Sequence, residues 1–443
     1  MSDIRTEEYA KRLSRMIQCE TVSSDGDGDK SKFYRFHELL RELFPHIFSV
    51  CVFEDFDGSF LLRWQGKSSE SPILLMNHHD VVEASGEWSH PAFSGEIADG
   101  RLWGRGTLDT KGGLWAMLQA ADELAAEGVV PKQDVYFMST CNEETSGDGA
   151  DTISKALEAR GVRFALVLDE GGMIVREPIG GAMGDYAMIG VGEKAAVDIK
   201  FIARSHGGHA STPPKDTPLV RLGKFMVAAE RKKLFRSELS PTVCDMMSSL
   251  SQSMSGVMRL ALGHPSLFKP LLLRVMPMVS SAAGAMLKTT IAFTMAGGSD
   301  GTNVLPEEAW IVGNMRCAHH QGERESVESI ASLAKKFDIE TIVISHGFES
   351  PLTDHKSAEF EYLAHGVKKI FPDVKVSPYI MTAASDCRYM SRVSDKCFRF
   401  APFRIDNEQM SRVHGVDENV SLDTLAGAVD FYRYVLTEDI YAE

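Results

Sequence analysis

Short apolar runs alternate with segments of helical spacing along the first part of the chain. Between about residue 30 and residue 190, strand-length runs such as Ile73 to Met76 are separated by helical patterns such as Leu114 to Ala126. This alternation is typical of βαβ units, in which helices connect the strands of one sheet. It predicts an α/β domain with a mainly parallel central sheet.

The pattern changes near residue 192. Segments such as Ala196 to Ile202 alternate apolar and polar residues, as expected for an antiparallel sheet with one exposed face. After Ser350-Pro351 the first pattern resumes, with a helix predicted at Ser357 to Ile370 and a strand near Val374 to Ile380.

These changes predict two domains, with the second inserted into the first. We assign residues 1–191 and 351–443 to the first domain and residues 192–350 to an inserted α+β domain. A Met- and Ser-rich stretch at about 237–297 lies within the insertion, and its apolar residues predict helices that pack on a neighbour.

Composition and charge narrow the class of protein. The chain has 443 residues, of which 44% are hydrophobic and 25% are charged, as in ordinary globular proteins. Its formal net charge is −15, so the composition indicates neither the basic patch of a nucleic-acid binder nor attraction to an anionic bilayer. We therefore predict neither a nucleic acid nor a membrane as a partner.

The cysteines and the amino-terminal pattern indicate the cellular compartment of the protein. Seven cysteines occur without any C-x-x-C pair, which argues against a disulfide framework and a thiolate zinc site. Residues 1–20 interleave charged and apolar side chains at helical spacing and lack the apolar stretch of a signal peptide. Charged residues and prolines interrupt the apolar segment 257–287. These features predict a cytoplasmic protein.

Histidine and carboxylate side chains follow three of the predicted strands. The strand runs lead into Asn77 to Asp80, into Asn142 to Glu144, and into Asp169-Glu170. Ligands of open α/β sheets bind beyond the carboxyl ends of the strands, so these clusters are expected to meet. A fourth group comes from the loop Gly104 to Gly113, which contains Asp109.

Carboxylates and histidines gathered without cysteine suit a hard or borderline metal ion. Taken singly, these residues also fit a structural histidine, a helix cap or an ordinary turn, but five of them together favour a site with two divalent ions, one carboxylate bridging them. The five candidate ligands are His78, Asp109, Glu144, Glu170 and His414.

Two further acids accompany the candidate ligands. Asp80 lies two residues after His78 and is positioned to accept the imidazole N–H and fix its tautomer. Glu143 and Glu144 are adjacent, and two neighbouring carboxylates repel each other unless a cation is close. One of the pair can bind metal while the other handles protons.

These motifs resemble those of the dinuclear zinc aminoacylase and carboxypeptidase family, which includes aminoacylase, glutamate carboxypeptidase and acetylornithine deacetylase. The resemblance extends through nearly the whole chain. It rests on His78-x-Asp80, on Gly104 to Gly113, on Glu143-Glu144 and on His414 to Glu418. Together with the spacing of Trp88, Pro91 and Phe93, it is strongest for the carboxypeptidase S branch.

The resemblance implies a role for each site residue. Asp109 would bridge two zinc ions, with manganese or cobalt as alternatives. Glu143 would be the general base and Glu144 a ligand. The acid after the next strand would be Glu170, with Asp169 as a one-residue alternative, and His414 would be the last ligand.

The resemblance also implies that the inserted domain is a lid and dimerisation module. Its Gly208-His209-Ala210-Ser211 motif would place His209 at the oxyanion, in competition with His206. Asn303 and Arg316 match positions that contact substrate in the family. Arg316 and Arg388 are also suited to a carboxylate, because a guanidinium binds it through two hydrogen bonds.

The sequence therefore predicts a metal-dependent amidohydrolase that acts on dipeptides, short peptides or N-acyl amino acids and forms a homodimer through the lid. The alternative is a catalytically silent family member that serves as a binding or assembly module. A cofactor-dependent α/β enzyme is disfavoured, because the loop at Gly104-Arg105-Gly106 leads to Asp109 where an anion would bind.

Overall fold

The structure is a computed structural model that describes residues 4–24, 26, 28–279 and 281–441. The described strands, in chain order, are β1 (Cys51–Phe56), β2 (Ser59–Trp64), β3 (Ser68–His78), β4 (Glu96–Ala98), β5 (Arg101–Trp103), β6 (Gln133–Thr140), β7 (Leu166–Asp169), β8 (Ile174–Arg176), β9 (Asp185–Glu193), β10 (Ala195–Arg204), β11 (Gly208–His209), β12 (Thr290–Gly297), β13 (Val304–Leu305), β14 (Glu308–Cys317), β15 (Glu340–Ser345), β16 (Lys375–Met381), β17 (Cys397–Arg399), β18 (Arg404–Ile405) and β19 (Asn419–Ser421).

The described α-helices are α1 (Ile4–Gln18), α2 (Ser31–Leu43), α3 (Pro45–Val50), α4 (Lys111–Ala126), α5 (Gly149–Ala159), α6 (Pro218–Arg231), α7 (Pro241–Ser251), α8 (Gly256–Gly263), α9 (Lys269–Val279), α10 (Ser281–Leu287), α11 (Gly322–Ala334), α12 (Ala358–Ile370), α13 (Asn407–Arg412) and α14 (Asp423–Thr437). Two 3-10 helices cover Lys335–Phe337 and Asp386–Arg392. Within these ranges no helix combines the length and the apolar character needed to cross a bilayer.

The central sheet has the strand order β1-β2-β6-β3-β7-β17-β9-β8-β18, and β16 also pairs with β9. Its middle strands β6, β3, β7 and β17 run parallel to one another. Parallel strands of this kind are covered on both faces, which explains why the sequence runs are apolar throughout. The structure confirms the predicted α/β class with its mainly parallel sheet.

Side chains of strand β3 pack into two different cores, because successive side chains of a strand point to opposite faces. Ile73 and Leu75 pack in the large core that includes α1, α4 and α14. Leu74 and Met76 pack in a smaller core with α5 and the second 3-10 helix. The sheet is thereby held on both sides, and its strand ends are fixed relative to one another.

The second sheet is antiparallel, with the order β12-β14-β10-β15. Its buried side chains, among them Phe201 and Ile311, pack with α6 and α11 in a separate core. Along β10 the buried Val197 and Ile199 alternate with the half-buried Asp198 and Lys200, as the sequence pattern predicts. The domain boundaries themselves stay a prediction.

The Met- and Ser-rich stretch forms helices α7 to α10. Helix α7 packs against β16, and its side chains Val243, Met246 and Met247 belong to the large core of the first domain. Asp245 of α7 also lies 2.7 Å from the ring of His355, ahead of α12. This stretch is therefore attached to the first domain, although it lies within the inserted part of the sequence.

Candidate metal centre

The parallel strands place three polar clusters at one edge of the central sheet. Strand β3 ends at His78, β6 ends at Thr140 and β7 ends at Asp169. In the register of the sheet, His78 is paired with Thr140, and Leu75 is paired with Leu168. The residues that follow these strand ends are consequently brought together, as expected for an α/β sheet.

His78 is held in one orientation by both ring nitrogens. Its Nδ1 donates to the backbone carbonyl of Asp80 at 2.9 Å, and its Nε2 lies 3.1 Å from Oδ1 of Asp109. Burial favours the neutral ring, but the hydrogen bonds to Asp109 and Asp80 outweigh it and raise the pKa of His78 well above its ordinary value. The Nε2 atom is therefore presented toward the carboxylates.

Asp109 contacts both candidate histidine ligands. Besides the contact of Oδ1 with His78, its Oδ2 lies 2.8 Å from Nε2 of His414. Burial alone would raise the pKa of Asp109, but the hydrogen bonds from His414 and His78 lower it below its ordinary value. Asp109 thus has the arrangement of a carboxylate that connects two binding positions.

Glu144 completes the group on the side of His414. Its Oε2 lies 3.2 Å from Nε2 of His414, while its Oε1 is buried and has no hydrogen-bond partner among the described residues. Ligand atoms of His78, Asp109 and Glu144 all lie within 4.8 Å of one another. A buried carboxylate oxygen without a partner is costly, and a cation would satisfy it.

Glu143 lies beside this group without joining its closest contacts. The nearest base, Nε2 of His78, is 4.0 Å from its Oε2. Burial raises the pKa of Glu143 well above its ordinary value, His78 opposes the shift, and Asp386 and Glu144 add to it. The raised pKa makes Glu143 a stronger proton acceptor than an exposed glutamate.

Asp80 fixes the turn that carries the two glutamates. Its Oδ1 accepts from the backbone N–H of Glu143 at 3.2 Å, and its Oδ2 accepts from that of Glu144 at 3.1 Å. Ser23 donates to the same Oδ2 at 2.7 Å. The carboxylate is 3.4 Å from Nδ1 of His78, which is nearer to the Asp80 carbonyl. Asp80 therefore positions both the imidazole and the turn.

Asp169 and Glu170 differ in their partners. Asp169 accepts a hydrogen bond at 2.8 Å from the backbone N–H of Cys387, and burial together with Asp386 raises its pKa to about 7. Burial, Asp169 and then Asp109 raise the pKa of Glu170 well above its ordinary value. Among the described residues no hydrogen bond or ion pair joins Glu170 to His78, Asp109 or Glu144, so the choice between Glu170 and Asp169 stays a prediction.

Glu418 and Arg105 are site residues that the sequence analysis did not single out. Glu418 is fully buried and accepts at 2.8 Å from Arg105 and at 3.1, 2.8 and 3.2 Å from the backbone N–H groups of Gly106, Leu108 and Asp109. It therefore holds the loop that presents Asp109. The sequence did offer a sign of this pair, since each of the two motifs contains a charged residue: Arg105 in Gly-Arg-Gly, and Glu418 after His414.

Arg388 lies close to the metal group, in the second 3-10 helix. It is 7% exposed, and Asp386, Glu193, Tyr389 and Glu143 all act on its pKa. Burial opposes its charge, but these groups raise its pKa above the ordinary value. Its Nη1 donates to the carbonyl of Ser385 at 2.6 Å.

The other three candidate residues lie in the inserted part of the sequence, residues 192–350. His209 pairs with Val304 across strands β11 and β13, and its Nδ1 accepts from the N–H of Ser211 at 3.1 Å. The carbonyl of Asn303 accepts from Ala210, and Arg316 on β14 donates to Asn314. Among the described residues no hydrogen bond or ion pair joins His209, Asn303 or Arg316 to the metal group.

The fold and the site together define a hydrolase of a metallopeptidase type, and the sequence profile of the peptidase family M20/M25/M40 matches residues 74–438. The protein belongs to this family. Probable carboxypeptidase S-like 2 of Dictyostelium discoideum is 30% identical over 451 residues, which cover 98% of this chain and 85% of the relative.

A second relative and a solved structure are also similar to this chain. N-fatty-acyl-amino acid synthase/hydrolase PM20D1 of Homo sapiens is 30% identical over 429 residues, covering 95% of this chain and 85% of the relative. Among solved structures, the M20 family metallo-carboxypeptidase Sso-CP2 from Sulfolobus solfataricus shares the fold with a TM-score of 0.72 at 18% identity, covering 97% of this chain and 98% of that chain. The resemblance inferred from the sequence motifs is confirmed.

Proposed function

We propose that the protein is a metal-dependent amidohydrolase that cleaves dipeptides, short peptides or N-acyl amino acids with a free carboxylate. The observation that carries this proposal is the convergence of His78, Asp109, Glu144 and His414 beside the partly buried acid Glu143. The names of the relatives support the substrate class, since one is a carboxypeptidase S-like protein and another a fatty-acyl-amino acid hydrolase.

The donor set fits two divalent ions, with zinc as the first choice and manganese or cobalt as alternatives. It consists of imidazole nitrogens and carboxylate oxygens, which suit these ions. The buried, unpartnered Oε1 of Glu144 provides a free ligand atom. His78, Asp109, Glu144, Glu170 and His414 would hold the ions.

Bound divalent ions would supply Lewis acidity toward a water molecule and the amide carbonyl. In the reaction that we propose, a carboxylate oxygen of Glu143 takes a proton from the attacking water and returns it to the leaving nitrogen. Asp80 holds the backbone of Glu143 in place during both transfers.

We assign the substrate carboxylate to Arg388, which is buried beside Glu143. A guanidinium binds a carboxylate through two parallel hydrogen bonds, so it would orient the substrate as well as attract it. Arg316 and Asn303 would take part from the second domain. His209 would donate to the oxyanion, and we assign it to the site of the other chain in a homodimer.

The test is a hydrolysis screen with controlled metal content. Protein stripped with a chelator is reloaded with zinc, manganese or cobalt and given dipeptides, N-acetyl amino acids and N-fatty-acyl amino acids, each also with its carboxylate amidated. Released amine is measured, with Glu143→Gln protein loaded in the same way as the control for contaminating peptidases. We expect metal-dependent hydrolysis of the free carboxylates and loss on amidation.

Absence of hydrolysis above the Glu143→Gln control in every metal form would contradict the proposal and favour the catalytically silent alternative. Hydrolysis that is insensitive to amidation would instead remove Arg388 from carboxylate recognition.

A further inference from the structure

Helices α8 and α9 and the turn between them expose many large apolar side chains. Val257 is 80% exposed, Leu267 is 75% exposed and Met278 is 81% exposed. The full set in this part of the chain is Val257, Met258, Leu260, Leu267, Leu271, Val275 and Met278. Large exposed apolar side chains concentrated in one short stretch of the chain are a common mark of an interaction site.

The two helices carry apolar side chains on both their outer and their inner sides. Leu271, Val275 and Met278 are spaced by four and three residues, so they form one stripe on α9. On the opposite side, Ala261 and Leu262 of α8 and Leu272 of α9 pack into the large core. The exposed apolar side chains are therefore held outward by a packed inner face.

The sequence around these two helices contains basic residues but no acidic ones. The sequence contains no Asp or Glu from residue 246 to residue 299, although the whole chain has 62 of them. Arg259, Lys269 and Arg274 lie in the same two helices and are exposed. In the described part of the chain, no carboxylate lies within ion-pair distance of these three side chains, whereas many other basic residues are paired.

We propose that this surface, the α8–α9 face, docks on an anionic lipid bilayer. Exposed apolar side chains combined with unpaired basic ones on a surface helix are a chemistry that binds the interface of such a bilayer. Anionic headgroups attract each nearby Lys or Arg, while the apolar side chains enter the acyl region.

The net charge of the whole chain led to the opposite expectation, that the protein has no membrane partner. A chain of net charge −15 is repelled by an anionic surface on average, but attraction acts over about 10 Å at ordinary ionic strength and so depends on the local face. Helices α8 and α9 carry three exposed basic side chains and no acidic residue of their own, although the molecule is negative. The inference does not depend on the proposed hydrolysis.

The test is sedimentation of the full chain with vesicles. One set is made of phosphatidylcholine alone and the other of phosphatidylcholine with phosphatidylserine. We expect binding to the second set, weaker binding at high salt, and little binding to the first. No binding to anionic vesicles would overturn the proposal.

A charge variant identifies the face. In Arg259→Glu, Lys269→Glu, Arg274→Glu we expect the partition coefficient on anionic vesicles to fall at least ~100-fold, on the scale of the attraction per basic side chain. The matched control is Lys67→Glu, Lys215→Glu, Lys336→Glu, which makes the same change in net charge elsewhere. Equal losses in both variants would show a general charge effect and contradict the assignment.

An apolar variant separates lipid from a protein partner. Val257→Ser, Leu267→Ser, Met278→Ser removes the most exposed side chains, and Val50→Ser, Val52→Ser, Val130→Ser is its control. We expect vesicle binding to fall at least ~10-fold in the first variant only, with an unchanged sedimentation coefficient in the absence of lipid. A dimer that dissociates in the first variant, without vesicle binding by the original chain, would assign the face to a second copy instead.

Discussion

The neighbouring carboxylates Glu143 and Glu144 have different surroundings in the folded chain. Glu144 contacts His414 and has a buried oxygen without a partner, whereas Glu143 has a raised pKa and only a distant contact with His78. We therefore expect Glu143→Gln to retain metal and to lose at least ~10²-fold in turnover, because the amide cannot take a proton. Metal content and turnover are measured on the same sample.

The companion variant is Glu144→Gln, in which metal content should fall first. Asp109→Asn should lose more metal than either, because Asp109 contacts both histidines. Intact metal in Glu144→Gln, or near-normal turnover in Glu143→Gln, would mean that the two roles are assigned the wrong way round.

Glu418 allows a test of the loop that presents Asp109. In Glu418→Gln the buried Arg105 loses its charged partner, which typically costs about 3 kcal/mol of unfolding free energy. The loop also loses part of its support, so we expect metal affinity to fall ~10-fold or more. Denaturant unfolding and metal titration measure the two effects.

The control for this variant is Glu408→Gln, which breaks the exposed ion pair with Arg412 and should change stability by less than about 0.5 kcal/mol. A Glu418→Gln protein that matches the control in both measurements would exclude Glu418 as a positioning residue.

His37 gives a pH dependence of stability. Burial lowers its pKa to about 4 from an ordinary value of 6.5, against the opposing field of Asp55. Because the unfolded chain binds the proton more readily, stability from this group should fall as pH drops from about 6.5 to about 4, by roughly 2 kcal/mol. Unfolding free energies across this range should show a shallower pH slope in His37→Phe, and an unchanged slope would refute the prediction.

Among the elements, helix α7 is expected to hold the Met- and Ser-rich stretch on the first domain. Met247 of α7 is 1% exposed in the large core, and Met258 of α8 is 50% exposed. Met247→Ala should lower the unfolding free energy by about 2–5 kcal/mol, because it leaves a cavity. Met258→Ala makes the same chemical change on the surface and should cost less than about 0.5 kcal/mol. Similar effects in denaturant unfolding would mean that α7 is not an anchor.

Helix α4 and the loop before it differ in how far the sequence predicted them. The sequence predicted a helix at Leu114 to Ala126, and the structure begins it at Lys111. Its signal was local, an apolar run of helical spacing. The buried ion pair between Arg105 and Glu418 joins residues 313 positions apart, and no local pattern specifies such a contact.

For the whole molecule, the proposed homodimer gives a complementation test. His209 lies in the second domain without a contact to the metal group among the described residues. If His209 serves the other chain, mixing His209→Ala with Glu143→Gln protein should restore part of the activity, because a hybrid dimer holds one intact composite site. Activity is measured after subunit exchange.

The control is each variant mixed with itself under the same conditions. No recovery despite demonstrated hybrids would refute the assignment to the other chain. A monomer in solution would remove the premise of the test.

The sequence by itself determined the fold class, the family and the chemical type of the site. Strand and helix periodicity are local properties, and His78, Asp109 and Glu144 follow predicted elements closely enough for parallel strand ends to bring them together. The family resemblance rests on motifs that are equally local, and the comparisons confirm the family.

Only the tertiary structure decided which groups support or surround that site. In the folded chain Asp80 accepts hydrogen bonds from the backbone N–H groups of Glu143 and Glu144. Asp169 accepts one from Cys387, and Glu418 accepts one from Leu108 in the loop that contains Asp109. The tertiary structure also attached α7 to the first domain and turned the α8–α9 face outward. The physical reason is that burial and hydrogen bonding depend on neighbours that are distant in sequence, which periodicity and composition do not specify.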